Sequence, residues 1–488
     1  MMHKHFHIIL LLMVLLAGSA ALAQPKREFR AVWVPTVGDR YYAQHSTEEC
    51  KAYLVNIIDS AKIAGCNAVI FHCRPQADAF YPSQLEPWSY WLTGTAGQAP
   101  SPMWDPMQLA AEECHKRGME LHAWINPYRV GYDHQIADSA LARQHPEWFI
   151  RYGKQLYFDP AVPQCRQHIC RVVADIVRRY DIDALHMDDF FYPYPIKDQE
   201  FPDTASYDRW GLGWDKAAWR RANVDSLIRG MHDTIASIKP WVRLGISPFG
   251  IWRNKSTDPD GSNTSGFQCY DGLYADCPKW VREGWVDYLV PQLYWQMEHK
   301  LASDSVLMDW WNEHANGRGM YYGLAIRNTM DYADTRHPSV PTQLGEKMER
   351  LRSLPNVGGV VWWPCYDLTG NYKGVADSLI TRYQHSVALP PAYPWLSNTT
   401  PEAPEHVGQK KIDGQKCLTW HPVPDARFYA VYCLSKGDKA AQLVALTGSN
   451  NVPLKEIRHK GHSCILTVTA LSRTNVESQP SKPKKIKF

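Results

Sequence analysis

Residues 186–190 (His-Met-Asp-Asp-Phe) place two adjacent acidic residues directly after a short apolar stretch. Alternate side chains of a strand point to opposite faces, so His186 and Asp188 share one face while Leu185 and Met187 share the other. The apolar face should pack against helices, which leaves Asp188 pointing inward at the end of the strand. A carboxyl group placed there can act as a nucleophile or stabilise an oxocarbenium-like transition state. Enzymes that hydrolyse glycosidic bonds usually need a second carboxyl group on the other side of the bond.

Three further acidic residues could supply that second carboxyl group. Asp189 begins the loop after Asp188, whereas Asp78 and Asp367 follow other predicted strands at the same end. The sequence leaves open which of them completes the pair. We therefore take Asp188, Asp189, Asp78 and Asp367 as the catalytic candidates.

Polar and aromatic residues also gather where the predicted strands end, while the strand starts are mostly apolar. Amide, guanidinium and hydroxyl groups can hydrogen-bond sugar hydroxyl or acetamido groups, and aromatic rings can stack on sugar rings. The chain has 20 Trp and 26 Tyr, although ordinary core packing must account for most of them, including Trp33 and Trp362. The predicted substrate-binding residues are Arg74, Tyr81, Trp88, Asn126, Tyr128, Arg129, His186, Tyr192, Gln292, Tyr294, Trp295 and Trp363.

Three histidines offer a competing interpretation. His72, His122 and His186 occupy comparable inward positions on neighbouring predicted strands, and barrel metallohydrolases build metal sites from His and Asp at strand ends. The three are not in HxH or HExxH spacing, and neighbouring strands are staggered. We therefore favour histidines that hydrogen-bond the catalytic groups, and the sequence implies no metal and no cofactor.

The elements that must position these residues alternate between strand and helix. Ser46 and Glu49 form a capping box before one helix, and Asp105-Pro106 opens another. Eight strand–helix units in one run favour a closed (β/α)8 barrel over an open doubly wound sheet. No GxGxxG or GxxxxGK[ST] motif follows the first strand. The predicted strands are Glu28–Val34, Asn67–Cys73, Met119–Ile125, Ala184–Asp188, Val242–Ile246, Val286–Leu293, Tyr321–Ile326 and Gly359–Trp363.

The N-terminus carries the pattern of an export signal. Lys4 lies in a basic start, residues 8–17 are apolar, and Ala21-Leu22-Ala23 is a small-x-small cleavage site. We predict a signal peptide over residues 1–23, no transmembrane segment, and a periplasmic or secreted protein. A net charge of +3 gives no argument for a nucleic acid partner. Twelve Cys permit disulfides, but Cys66, Cys73 and Cys114 fit buried free thiols better.

The composition changes after residue 388. Residues 389–404 are rich in Pro, Asn and Thr, which predicts an exposed linker. Beyond it the apolar residues alternate with period two, as in Tyr429, Val431 and Cys433. The stretches 420–429 and 468–473 resemble a fibronectin type III domain, which implies a small β-sandwich over residues 405–488. Such a module could dock the protein to a cell surface or wall.

Several motifs between residues 28 and 383, in the right order, resemble the glycosyl-hydrolase-like family 10. They are Phe29–Trp33, Arg74–Trp88, Asn126–Arg129, His186–Pro193 and Pro291–Trp295. The resemblance implies an exported barrel over residues 24–388 that is related to retaining glycosidases. It also implies cleavage of peptidoglycan glycan strands stripped of stem peptides. The alternatives are a glycan-binding barrel without catalysis and a metal-dependent hydrolase.

Overall fold

The computed structural model describes residues 24–457 and 459–488. The predicted signal peptide, residues 1–23, lies outside the described residues and stays a prediction. Within the described part of the chain, no helix is long and apolar enough to cross a membrane.

Eight parallel strands form the centre of the larger domain, close to their predicted positions. They are β1 (Phe29–Val34), β2 (Ala68–Arg74), β3 (Glu120–Ile125), β4 (Ala184–Met187), β5 (Arg243–Ile246), β6 (Tyr288–Leu289 and Gln292–Leu293), β7 (Gly319–Met320 and Tyr322–Ala325) and β8 (Gly359–Trp363). Each strand pairs with the next, and β8 pairs with β1 from Phe29↔Gly359 to Val32↔Trp362. The sheet therefore closes on itself, which confirms the predicted (β/α)8 barrel.

Helices surround the barrel and begin where the capping residues predict. Ser46 accepts a hydrogen bond from the Glu49 N–H, and the Glu49 carboxylate accepts one from the Ser46 N–H. Asp105 caps the next long helix through the N–H of Gln108. The helices are Tyr41–Gln44, Thr47–Ile63, Tyr90–Thr93, Pro106–Lys116, Leu141–Gln144, Pro163–Arg179, Thr204–Trp210, Lys216–Ile238, Cys269–Gly272, Cys277–Arg282, Asp304–Glu313, Ile326–Met330, Leu344–Ser353, Cys365–Thr369 and Val375–Ser378, the last continued by a π turn at Leu379–Tyr383.

Short elements that the sequence did not predict complete the domain. Three antiparallel strands, Arg129–Gly131, Phe149–Tyr152 and Gln155–Phe158, form a small sheet between β3 and β4. Because this sheet follows the end of β3, it lies at the carboxyl end of the barrel. The 3-10 turns of this domain are Asp133–Gln135, Pro146–Trp148 and Tyr372–Gly374, and a further one, Leu454–Glu456, lies in the C-terminal domain.

Large rings fill the barrel interior, where the branched aliphatic residues of many such barrels would lie. Phe29 and Tyr321 stack with ring centroids 4.4 Å apart, and Tyr288 lies beside both. Trp33 and Trp124 occupy the level above, nearer the carboxyl end. Because tyrosine and tryptophan carry polar atoms, this core must also satisfy hydrogen bonds inside the barrel.

The C-terminal residues fold as two antiparallel sheets, which confirms the predicted small all-β sandwich. One sheet contains Gly408–Ile412, Gln415–Thr419 and Asn451–Pro453, and the other contains Gln442–Thr447, Phe428–Ser435, Ser463–Leu471 and Lys484–Lys487. Leu418 and Val452 of the first sheet share a core with Val431 and Leu466 of the second. All twelve cysteines of the protein are free thiols.

The first half of residues 389–404 is not the exposed linker that its composition predicts. Leu389 and Tyr393 are both fully buried. Leu389 accepts a hydrogen bond from the Glu28 N–H at 3.0 Å and donates to the Lys26 carbonyl at 2.9 Å. A high content of proline and threonine predicts an irregular backbone, but it does not predict whether the segment is exposed. This segment is buried because the large side chains of Leu389 and Tyr393 pack against other residues. Residues 398–400 are exposed.

The sandwich packs against the amino-terminal end of the barrel strands. Arg427 is 8% exposed and donates to Asp183 at 2.7 and 2.9 Å and to Asp181 at 2.8 Å. Asn475 donates to the Glu120 carboxylate at 2.8 Å. Asp183 and Glu120 lie at the starts of β4 and β3. The two domains therefore share a buried contact at the base of the barrel.

Candidate active site

A cavity of about 160 Å³ lies at the carboxyl ends of the barrel strands. Enzymes with this fold carry their active sites at that end. The cavity is lined by Trp33, Trp124, Asp188, Asp189, Phe190, Ser247, Gln292, Tyr294 and Trp363. Five residues of this lining, Asp188, Asp189, Gln292, Tyr294 and Trp363, were predicted from the sequence.

Asp188 is held at the end of β4 by hydrogen bonds from three directions. Its Oδ1 accepts the Asn126 side-chain N–H at 3.0 Å and the Phe190 backbone N–H at 3.3 Å. The Trp124 indole N–H donates to its Oδ2 at 3.3 Å. The carboxyl group is only 6% exposed, so its orientation is set before any substrate arrives.

Asp189 is buried beside it and has different partners. The Tyr194 hydroxyl donates a short hydrogen bond to Oδ2, and the Gln292 side chain also bonds to this carboxylate. Gln292 is itself fixed, because its amide N–H donates to the Ser247 carbonyl at 2.9 Å. The two adjacent carboxyl groups are thus positioned independently.

Burial changes the acidity of both groups. Burial, and then the negative charge of Asp189, raises the pKa of Asp188 to about 6. Burial also raises the pKa of Asp189, although the hydrogen bonds from Tyr194 and Gln292 oppose the change. The positive charge of Arg129 lowers the pKa of both groups. Two close carboxyl groups in such a site can hold one proton near neutral pH, as acid–base catalysis requires.

Three tryptophan rings form the apolar part of the cavity wall. Trp363 lies edge-on to Trp33 and to Trp124, with ring centroids 6.3 and 6.2 Å away. Such faces suit the apolar C–H surfaces of a sugar ring, while the two carboxyl groups and the Gln292 amide suit its polar edge. The arrangement can bind a sugar ring, and its carboxyl groups can donate a proton to the sugar or stabilise a positive charge on it.

Asn126 and Arg129 lie next to this lining, as the sequence predicted for the end of β3. Asn126 donates to both oxygens of Asp188, at 3.0 and 3.2 Å, and its Oδ1 accepts the Arg129 backbone N–H at 2.9 Å. The Arg129 guanidinium lies 3.8 Å from the ring centre of Phe190. Asn126 therefore orients a carboxyl group, and Arg129 supplies a nearby positive charge.

The structure places the other two catalytic candidates outside the cavity. Asp78 accepts a hydrogen bond from the Gln76 N–H at 2.9 Å and lines a separate small pocket with Trp88. Burial raises its pKa to about 6 as well. Asp367 lies in a helix after β8 and pairs with Arg327 at 2.8 Å. Asp78 is held by the loop that follows its own strand, whereas Asp367 is held by Arg327, which follows the neighbouring strand β7.

Arg74 braces the rim instead of lining the cavity. It is fully buried, and its Nε donates to Glu86 at 2.7 Å. Its Nη1 donates to the carbonyls of Asn126 and Pro127, the latter at 3.2 Å. The predicted binding residue thus fixes the loop that carries Asn126.

Most of the remaining predicted binding residues are part of the core. Tyr81, Tyr128 and Tyr192 are at most 1% exposed, and His186 is fully buried beneath the cavity. Trp295 is half-buried and packs edge-on against Phe249, with ring centroids 5.5 Å apart. Long aromatic side chains at strand ends can turn outward to the helices, which a strand pattern alone does not reveal.

The three inward histidines do not come together as a metal site. Among residues 24–457 and 459–488, no group of three or more His, Cys, Asp or Glu side chains is arranged to hold a metal ion. His72 stacks on Trp124 with ring centroids 3.8 Å apart, while His122 and His186 both contact the Tyr288 hydroxyl. Burial lowers the pKa of all three, so they are neutral at pH 7.

Five contributors were missed by the sequence analysis. Trp33, which we expected in the core, lines the cavity together with Trp124, Phe190 and Ser247, and Tyr194 holds Asp189. Trp33, Trp124 and Ser247 each lie at or just after the end of a strand. Their position at the strand ends could have identified them as cavity residues, but their residue types suggested that they pack in the core.

Comparison with known proteins finds a family and relatives that are described as glycosyl hydrolases. The profile of a family described as glycosyl hydrolase-like 10 matches residues 28–336. Glycosyl hydrolase YngK of Bacillus subtilis is 38% identical, over 95% of this chain and 94% of its own length. Glycosyl hydrolase DigH of Escherichia coli K12 is 35% identical, over 71% of this chain and 85% of its own length.

Solved structures of glycosidases also superpose on the chain. The glycoside hydrolase domain of PgaB (BpsB) from Bordetella bronchiseptica is 15% identical, with a TM-score of 0.48 over 73% of this chain and 99% of that one. The catalytic domain of a β-amylase from Paenibacillus polymyxa is 13% identical, with a TM-score of 0.48 over 74% of this chain and 98% of that one.

Proposed function

This chain belongs to the glycosyl hydrolase-like 10 family, and we propose that it hydrolyses O-glycosidic bonds in an N-acetylated cell-wall polysaccharide. The specific substrate we propose is peptidoglycan glycan strands that lack stem peptides. The observation that carries the proposal is the buried Asp188–Asp189 pair in a tryptophan-walled cavity at the carboxyl end of the barrel.

The different surroundings of the two carboxyl groups support different roles. Asp188, with a pKa of about 6, would hold the proton of the pair and donate it to the oxygen of the leaving sugar. Asp189, which accepts hydrogen bonds from Tyr194 and Gln292, would remain ionised and stabilise the positive charge that develops on the sugar ring. This proposal replaces the nucleophile or stabiliser role that the sequence suggested for Asp188.

Reducing-end release from purified glycan strands tests the proposed activity. We expect the wild-type protein to cleave strands stripped of stem peptides faster than intact peptidoglycan or polysaccharides without acetamido groups. Asp188→Asn should retain glycan binding while turnover on natural strands falls by about a thousandfold, because a transition-state interaction is lost. Binding by the wild-type protein with no product from any strand would instead identify a glycan-binding barrel.

Asp78→Asn is the matched control for that substitution. Asp78 is also buried, has a pKa of about 6, and lies at the same end of the barrel, but it does not line the cavity. We expect its turnover to stay within about threefold of the wild type, since only a loop contact is changed. A loss as large as that of Asp188→Asn would return Asp78 to the catalytic candidates.

We also propose that the protein is exported and that the sandwich is a fibronectin type III-like module with a docking role. The arrangement of three and four antiparallel strands supports the second statement, and residues 21–23 support the first. The proposed domains are a barrel over residues 24–388, a connection over 389–404 and the sandwich over 405–488. Mass spectrometry of exported protein should find an N-terminus near Gln24, and an intact Met1 would reject export processing.

A further inference from the structure

A continuous chain of hydrogen bonds runs down the barrel axis from the cavity to the base. The Trp33 indole N–H contacts His186 Nε2 at 3.2 Å, and His186 Nδ1 contacts the Tyr288 hydroxyl at 3.0 Å. The same hydroxyl contacts His122 Nδ1 at 2.7 Å, and His122 Nε2 contacts Glu120 at 3.0 Å. Trp33 lines the cavity, whereas Glu120 lies at the start of β3.

The chemistry of the two ends fixes the direction of every bond in this axial chain. The indole nitrogen of Trp33 can only donate, so His186 Nε2 must accept and the proton of this neutral ring lies on Nδ1. That proton goes to the Tyr288 oxygen, and the Tyr288 O–H must then donate to His122 Nδ1. The proton of His122 therefore lies on Nε2 and goes to the Glu120 carboxylate, which can only accept.

Two side chains, the cationic Arg243 and the amide Asn475, donate hydrogen bonds to the carboxylate at the base of this axial chain. Arg243 donates to both oxygens of Glu120, at 2.9 and 3.0 Å, and Asn475 of the sandwich donates at 2.8 Å. Burial alone would raise the pKa of Glu120, but Arg243 and His122 hold it below its ordinary value. The acceptor that terminates the chain is therefore a carboxylate throughout the neutral range.

Two glycines make room for the rings of the chain. A Cβ atom on Gly245 of β5 would lie 1.9 Å from the Tyr288 ring, and one on Gly323 of β7 would lie 2.6 Å from the Trp33 ring. No side chain could replace hydrogen there without moving these rings. Sterics and hydrogen bonds thus define the same ring positions.

From this geometry we propose that Tyr288 is a positioning residue for the cavity. Its hydroxyl selects the tautomer of His186, whose Nε2 then fixes the indole of Trp33 and faces the Ser247 hydroxyl at 3.0 Å. Tyr288 touches no substrate and acts through His186. The consequence for turnover rests on the proposed hydrolase function, whereas the position of Trp33 does not.

Tyr288→Phe removes the relay oxygen and keeps the ring. We expect kcat on glycan strands to fall by about tenfold with KM changed by less than about twofold, because a small displacement of a substrate-contacting group mainly affects the reacting geometry. Tyr321→Phe is the matched control. Tyr321 lies in the same buried core, but its hydroxyl pairs with Tyr393 and is not in the chain. Its kcat should stay within about twofold of the wild type.

Crystal structures of the two variants provide a readout that does not need activity. In Tyr288→Phe the distance from Trp33 Nε1 to His186 Nε2 should exceed about 3.5 Å, beyond hydrogen-bond range, and in Tyr321→Phe it should not. An unchanged Trp33 in Tyr288→Phe would overturn the positioning role even if the protein is a hydrolase. A wild-type protein without turnover would instead overturn the proposed function.

The wild-type protein itself gives a third measurement, which stands even if Tyr288→Phe does not fold. Neutron diffraction, or nitrogen NMR of labelled histidine, should find the proton on Nδ1 of His186 and on Nε2 of His122. The opposite tautomer at either ring would break the directed chain and reject the proposal.

Discussion

Two pairs of buried carboxyl groups, one pair at each end of the barrel, have opposite electrostatic surroundings. At the carboxyl end, Asp188 and Asp189 are at most 6% exposed, form no ion pair among the described residues, and have raised pKa values. At the amino end, Asp183 and Glu120 are at least as buried, yet Arg427 and Arg243 lie 2.7 to 2.9 Å away. Burial would raise their pKa values, but these cations and neighbouring histidines hold both below the ordinary value.

The difference shows that burial does not determine what a carboxyl group does in this barrel. Arg427 and Arg243 compensate the charges of Asp183 and Glu120, so these carboxylates hold strands and sandwich together. Among the residues that the structure describes, Asp188 has no such cation beside it, so its carboxyl group can exchange a proton near neutral pH. In this protein, a neighbouring cation therefore identifies a structural carboxylate better than the burial of the carboxylate does.

The largest expected effect separates the two carboxyl groups of the cavity. If Asp188 is the acid, Asp188→Asn should lose about a thousandfold on natural glycans but little on aryl glycosides, whose leaving groups need no proton. Asp189→Asn should lose heavily on both substrates, because the charge on the sugar ring is no longer stabilised. Steady-state turnover with paired natural and aryl substrates measures this, and the reverse pattern would exchange the two assignments.

At the base, the expected effect is on stability. Arg427→Met leaves Asp183 buried and without its arginine, which should lower the free energy of unfolding by about 3–5 kcal/mol. Turnover per folded molecule should stay within about twofold. Denaturant unfolding and active-site-normalised kinetics measure the two quantities, with the exposed Arg229→Met as control. A loss of turnover without a loss of stability would contradict the division between the ends.

Removing the sandwich sharpens the same comparison. The exposed linker that we expected from the sequence would let the barrel fold alone. Instead Leu389 packs in the sandwich, Tyr393 packs in the barrel core and Arg427 of the sandwich pairs with Asp183 of the barrel. We now expect a chain ending at Ala388 to unfold at lower denaturant concentration and less cooperatively. Unchanged unfolding of that chain would show that the base contact is dispensable.

A smaller expected effect is the dependence of stability on pH at the carboxyl end. The pKa of Asp188 is about 6 in the folded protein and about 4 when unfolded, so its contribution to stability is present below pH 4 and lost as pH rises through 6. Asp188→Asn should therefore be more stable than the wild type at pH 7, by at most about 3 kcal/mol, and equal to it at pH 3.5. Thermal unfolding at both pH values tests this, and a variant less stable at pH 7 would contradict it.

The smallest effect is the pH dependence of turnover. If Asp188 donates the proton, kcat should decline as pH rises through about 6, where the group loses that proton. Asp78→Asn should leave this profile unchanged although Asp78 has a similar pKa. Activity that rises through the same range would mean that Asp188 acts as a carboxylate.

Much of this arrangement was predictable because it depends on local patterns. The period-two strand at residues 184–188 sends Asp188 inward, and the caps at Ser46 and Asp105 start helices where they were expected. Eight strand–helix repeats then leave few ways to close the sheet. Together with the family resemblance, these local rules predicted the barrel, and they placed Asp188 at the end of the barrel where the cavity lies.

Only the tertiary structure decided which of the candidates share a cavity. Asp78, Asp189 and Asp367 all follow strands at the same end, but Arg327 pairs with Asp367, while Tyr194 and Gln292 hold Asp189 beside Asp188. Arg327 and Gln292 follow or lie on other strands, so no local pattern predicts that they contact these carboxyl groups. The same reason explains the buried linker and the cavity position of Trp33, since both depend on the space that distant residues leave open.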